Sequence, residues 1–148
     1  MMSELADLYQ EIILDHNKRP RNFRPMPGCT CHADGDNPLC GDEVKVFVQL
    51  EGDRLFDVSF QGQGCAISKA SASLMTGKTK GQTAEEAINL SSLVRDMLLG
   101  PESDSPSVLG DLAALSGVRK YPARIKCAML PWRTLEAALA GQSGVTTE

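Results

Sequence analysis

A period-two run fixes the centre of this chain. Val44, Val46, Val48 and Leu50 alternate with Lys45, Phe47 and Gln49, which predicts a strand with one apolar face. Glu51-Gly52-Asp53 supplies a turn, and Phe56, Val58 and Phe60 then alternate with Asp57, Ser59 and Gln61. The pair reads as an antiparallel hairpin whose apolar face must be covered. A third strand over residues 31–36 is more weakly signalled. Just before the first strand stands Asn37-Pro38-Leu39-Cys40-Gly41-Asp42, a tight turn that sets a thiol and a carboxylate side by side.

The cover is helical. Residues 4–16 put Leu5, Leu8, Tyr9, Ile12 and Ile13 on one face, with Ser3 as a cap and Pro20 as a stop. Ile67, Ala70, Ser71, Leu74 and Met75 predict a helix that begins near Cys65. Thr83-Ala84-Glu85-Glu86 has the form of a capping box, followed by a core face of Ala87, Leu90, Val94, Met97 and Leu98, and Gly100-Pro101 ends that helix. Residues 101–107 are polar and Pro-rich; Leu109, Leu112, Ala113 and Leu115 then suggest a short helix ending at Gly117. In the last helix Ala128, Met129, Trp132, Leu135 and Leu139 share a face, with Trp132 as a core anchor. Proline is tolerated in a first turn, so Pro131 predicts a helix start close to Cys127. The tail after about residue 141 is small and polar and is expected to fray. With no repeat and no linker, residues 1–148 read as a single domain.

Composition narrows the function. Charged residues make up 23% and the net charge is −4, with no basic stripe, which argues against nucleic acid as a partner. No apolar run approaches the roughly 20 residues of a membrane span, and the start lacks a secretory signal. The expected compartment is the cytoplasm, where thiols stay reduced. Five cysteines, an odd number, fit a disulfide framework poorly and fit metal binding or thiol reactivity better.

Three of those cysteines stand at predicted element boundaries. Cys40 is in the turn, Cys65 follows Gly62-Gln63-Gly64 at a helix head, and Cys127 lies in Arg124-Ile125-Lys126-Cys127-Ala128. We expect the fold to bring Cys40, Asp42, Cys65 and Cys127 to one point, as a metal site, a persulfide-handling site, or both. Three thiolates and a carboxylate suffice for tetrahedral zinc, and thiolates also suit iron in an iron–sulfur cluster. The carboxylate is the more exchangeable donor. Lys126, Arg124 and Lys45 are the cations that could offset the site's negative charge. Two helix N-termini, at Cys65 and Cys127, are expected to favour thiolates. His16, near a helix C-terminus, has no other ligand type close by in sequence and reads as structural. Cys29-Thr30-Cys31-His32 could form a second metal or redox site, although zinc cysteines are usually spaced two to four residues apart. A reduced, partly exposed loop is the plainer reading.

The motifs in combination resemble the iron–sulfur assembly proteins of the IscU and NifU N-terminal type, and most closely their SufU branch. The resemblance rests on Leu8-Tyr9 to His16 with Pro20-Arg21-Asn22, on Asn37 to Asp42, on Gln61 to Ser68 with Ser71-Ala72-Ser73, and on Tyr121 to Cys127. Lys126 stands where the scaffolds proper carry His, and residues 101–120 look like the SufU insertion. The resemblance implies an α+β fold, a small antiparallel three-stranded sheet with helices packed against it. It implies a site of Cys40, Asp42, Cys65 and Cys127 holding zinc, with Cys40 accepting sulfur from the persulfide of a cysteine desulfurase of the SufS/IscS type. Whether that makes the protein an enzyme, a sulfurtransferase, stays open. The alternative is a scaffold on which a [2Fe–2S] cluster is built and passed to apo-proteins, since the carboxylate fits either displacement or release. Lys126 favours the first, because an ammonium is no ligand for iron.

Overall fold

The alternating runs form their hairpin. In the computed structural model, which describes residues 2–100 and 107–146, β1 (Cys31–Asn37), β2 (Asp42–Glu51) and β3 (Arg54–Gln63) pair antiparallel in sequence order. Val44, Val46 and Val48 of β2 and Val58 and Phe60 of β3 are buried on one face. Phe56, expected inward, is exposed. The β2–β3 register shifts at Gln49/Leu50, so that Leu55 pairs with Leu50 and takes the inward place. One extra residue in a strand flips the side-chain alternation around it.

The sheet has four strands rather than three, in the order β3-β2-β1-β4. The fourth, β4 (Gly144–Thr146), comes from the tail expected to fray and runs parallel to β1, pairing Gly144 with Asp34 and Thr146 with Asp36. Three residues, Gly-Val-Thr, carry too little pattern to announce a strand. Their order comes from the β1 edge, whose Asp34 N–H donates to the Ser143 carbonyl at 3.0 Å.

Helices cover the apolar face. α2 (Ala66–Thr79) and α4 (Pro122–Leu139) lie against the sheet, while α1 (Met2–Lys18) packs on α2 and α3 (Ala84–Leu99) packs on α4. The helix α1 starts at Met2, so Ser3 lies within it rather than capping it. The capping box forms in full: Glu86 N–H donates to Thr83 Oγ1 at 3.1 Å, and Thr83 N–H to Glu86 Oε1 at 2.9 Å. Trp132 is wholly buried in the core. Gly35 lets α4 approach β1, since a Cβ there would overlap the Thr134 hydroxyl. The short helix expected to stop at Gly117 is a 3₁₀ run, Ser107–Lys120, kinked at Gly110. Leu109, Leu112, Leu115 and Val118 are all buried, a spacing of three that suits 3.0 residues per turn and not 3.6. Most of the Pro-rich stretch read over 101–107 lies outside the described residues. Among the described residues no helix is long and apolar enough to cross a membrane.

His16 ties α1 to α2. Its Nδ1 lies 2.7 Å from Ser73 Oγ, which also accepts from Arg21 N–H at 2.8 Å, while Arg21 pairs with Asp15 at 2.7 Å. Burial, and then the nearby Arg21 cation, hold His16 below its usual pKa against the opposing pull of Asp15 and Asp111. The folded protein therefore resists a proton that the unfolded chain accepts. Stability attached to His16 is present above about pH 6.5 and is lost as pH falls from there toward the folded value. The melting-temperature advantage of the wild type over His16→Gln should shrink between about pH 7.5 and 5.5. An advantage that stays constant across that range would exclude the linkage.

Candidate metal centre

Asp42 opens β2 and is fully buried. Its Oδ1 accepts from the Cys65 backbone N–H at 2.8 Å, and its Oδ2 lies 3.7 Å from Cys65 Sγ. This approach is possible because residue 64 is glycine. A Cβ there would run into the Asp42 carboxylate, and φ is +156°, a value L-residues rarely adopt. Cys65 is the N-cap of α2, and its sulfur accepts from Ser68 N–H at 3.4 Å. Cys65 thus stands at the head of a helix, as expected from the sequence.

Cys127 arrives differently from the expectation. Helix α4 begins at Pro122 with Tyr121 as N-cap, so Cys127 sits in the second turn and Pro131 lies in the helix interior. Two prolines lie nine residues apart, and Pro122 is the first-turn one. No helix N-terminus activates Cys127. Burial pushes its thiol up, reinforced by hydrogen bonding to Asp42 and Cys40. An interior proline removes one rung of the helical ladder, here the rung to the Cys127 carbonyl. Beside that gap Ser71 Oγ donates to the Ala128 carbonyl at 2.6 Å, pinning α4 to α2 at the cysteine-bearing turn.

Cys127 Sγ lies 3.5 Å from Cys40 Sγ. The donor atoms of Cys40, Asp42 and Cys127 lie within 4.8 Å of one another, and Cys65 joins them through Asp42. Tetrahedral zinc with sulfur arms of about 2.3 Å sets two thiolates about 3.8 Å apart, so this donor set fits the ion. Cys40 is the exposed member, carried on the β1–β2 turn whose Asn37 carbonyl accepts from Cys40 N–H at 3.1 Å. It borders a depression of about 200 Å³ lined by Asn37, Leu39, Pro122, Ala123 and Lys126.

The three cations divide. Cys65 and then Cys127 make the Arg124 guanidinium hold its proton more tightly than usual, by charge and hydrogen bonding, so Arg124 faces the sulfurs. Lys126 lines the depression beside Cys40. Lys45 points to the sheet's other face, since Asp42, Val44 and Val46 are the buried members of its strand. Cys29, Cys31 and His32 stand about 20 Å away, at the far end of β1, given the ordinary rise of a strand. His32 stacks on Phe47 with ring centroids 6.3 Å apart. Gly64 and Ser71 are the supporting residues that no ligand-type pattern marks; the glycine pair of Gln61-Gly62-Gln63-Gly64 was the available signal.

The chain matches the family described as NifU-like N terminal domain over residues 8–128. It is 44% identical over 142 residues to the zinc-dependent sulfurtransferase SufU of Bacillus subtilis, covering 96% of each chain. To the iron–sulfur cluster assembly scaffold protein IscU of Streptococcus pyogenes it is 38% identical, over 93% of this chain and 86% of that one. Among solved structures, FiSufU of Fervidobacterium islandicum superposes with a TM-score of 0.82 at 40% identity, over 87% of this chain and 94% of that one. The N-terminal NifU-like protein of Brucella abortus, at 23% identity and a TM-score of 0.81 over 93% and 95% of the two chains, shares the fold.

Gly64→Ala should lower metal content although every donor remains, because the Cβ displaces Asp42 and overpacking costs about 2 kcal/mol. Gly77→Ala, with open space around its Cα, is the control and should keep its metal content. Metal analysis of both purified variants checks this; an unchanged metal content in Gly64→Ala would refute the close approach of Gly64 to Asp42.

Proposed function

The chain belongs to the NifU-like N-terminal domain family, and from that premise we propose that it is a zinc-dependent sulfur acceptor for iron–sulfur cluster assembly, working in the cytoplasm with a cysteine desulfurase. The observation that carries the reading is the inequality of the three cysteines. Cys40 is exposed on a turn, while Cys65 caps a helix and Cys127 is buried within one.

Cys40, Asp42, Cys65 and Cys127 are the residues that would hold zinc. When bound, zinc keeps the thiols deprotonated and adds folding energy. The protein's own part in sulfur transfer falls to Cys40. Its thiolate attacks the outer sulfur of the desulfurase cysteine persulfide; a new S–S bond forms on Cys40 as the partner's thiolate departs. The turn lets Cys40 move without unwinding a helix. Asp42, held by Cys65 N–H, keeps a carboxylate in the site while Cys40 is occupied. Arg124 offsets the negative charge of the remaining donors, and Lys126 flanks the approach.

A scaffold role, with a [2Fe–2S] cluster as cargo, is the second reading, supported by the 38% identity to a relative of that name. Cys40→Ser should abolish stimulation of a cognate desulfurase, measured as alanine release, while the fold persists. Cys65→Ser and Cys127→Ser should lose zinc and stability together. Zinc-loaded protein that leaves turnover unchanged, with iron-loaded protein passing an intact cluster to an apo-acceptor, would establish the scaffold instead.

A further inference from the structure

Cys29 and Cys31 are thiols that the sulfur-acceptor chemistry leaves unused. The chain bends at Thr30, where β1 is about to begin, so the two flanking residues do not lie on a straight strand. Thr30 Oγ1 is turned to β2, accepting from Leu50 N–H at 3.0 Å. Cys29 Sγ folds back over its neighbour and donates to the Cys31 carbonyl at 3.3 Å. Both thiols are half-buried, and neither belongs to the metal-ligating group at the other end of β1. Burial, and then the charge of Cys29, push the Cys31 thiol up. The contact of Cys29 Sγ with the Cys31 carbonyl sets the first thiol against the residue that carries the second.

Two half-buried thiols one residue apart, the first folded back onto the backbone of the second, match the arrangement of an attacking and a resolving cysteine. We propose that Cys29 and Cys31 form a dithiol that reduces a persulfide carried on another molecule and releases its outer sulfur as sulfide. The Cys29 thiolate attacks the outer sulfur of R–S–SH, forming Cys29–S–SH and expelling RS⁻. The Cys31 thiolate then attacks the Cys29 sulfur, forming the Cys29–Cys31 disulfide and expelling HS⁻. In sum, two thiols and one persulfide give one disulfide, one RSH and one H₂S. The outer sulfur gains the two electrons that the dithiol loses, so no further reductant enters.

The persulfide must come from outside the chain. Cys31 and Asn37 are the two ends of β1, about 20 Å apart at the ordinary rise of a strand, so Cys40 of the same molecule cannot reach the dithiol. A second copy loaded at Cys40 can. The inference rests on the sulfur-acceptor reading for that source only.

The test separates the two. Glutathione persulfide is added, without other thiols, to zinc-loaded Cys40→Ser protein that keeps Cys29 and Cys31. The expected result is close to one sulfide released per chain, with the peptide spanning Cys29 and Cys31 lighter by two hydrogen atoms. Cys31→Ser in that background should release none and retain one extra sulfur atom on Cys29. Cys29→Ser should do neither. Sulfide released equally by all three proteins, or no disulfide in the first, overturns the proposal. Wild-type protein loaded at Cys40 by a desulfurase should release sulfide at a rate that rises with the square of protein concentration. If the first arm succeeds and this protein carries no sulfur at Cys40, the dithiol stands and the sulfur-acceptor reading fails.

Discussion

The site depends on a carboxylate taken out of water. Asp42 is fully buried at the start of β2, and a buried carboxylate needs opposite charge or hydrogen-bond donors around it. One donor is the Cys65 backbone N–H, delivered by the bare Cα of Gly64. That contact joins the β1–β2 turn to the head of α2, and so sets two cysteines of distant sequence against one aspartate. The third cysteine comes from α4, which Gly35 allows to press against β1. Arg124, on the same helix, adds positive charge at the sulfurs. A cation shared by the four donors would complete this balance, which is why the donor set and the burial of Asp42 fit together.

Much of this was legible where periodicity was strong. The alternation in β2, the capping box at Thr83 and the core face of α3 follow directly from residue spacing. No spacing announces that Cys40, Asp42 and Cys127 stand within 4.8 Å of one another; that grouping was expected only from thiols at predicted element boundaries and from the resemblance. What was hidden has physical causes. Strand β1 reads weakly because Ala33, Gly35 and Asn37 are its inward residues, small or polar where α4 comes close. The bulge at Phe56 reversed an alternation that looked regular. Pro131 suggested a helix start because the sequence offers two prolines and does not say which belongs to the first turn. The 3₁₀ run has leucines at intervals of three, and that spacing satisfies part of a helical pattern as well. Likewise, of the three cations near the ligands in sequence, strand parity alone removes Lys45, but only once the strand's inward face is known.

Burial sorts the cysteines by what each can do. Cys127 is locked and hard to ionise unaided, Cys65 caps the head of α2, and Cys40 stands at the rim. A site made of equivalent thiols would hold an ion well and exchange nothing. Unequal thiols divide holding from reacting within one ligand set.

The tail strand β4 has a consequence of a different kind. It pairs with residues 34–36 along the outer side of β1, which otherwise ends the sheet. An open sheet margin presents a row of unpaired amides and carbonyls that can recruit strands from other molecules. Three residues of Gly-Val-Thr occupy that margin beside the half of β1 that leads into the Cys40 turn. They serve as a selvedge, and a chain cut back to the end of α4 would gain an adhesive border directly beside its reactive thiol.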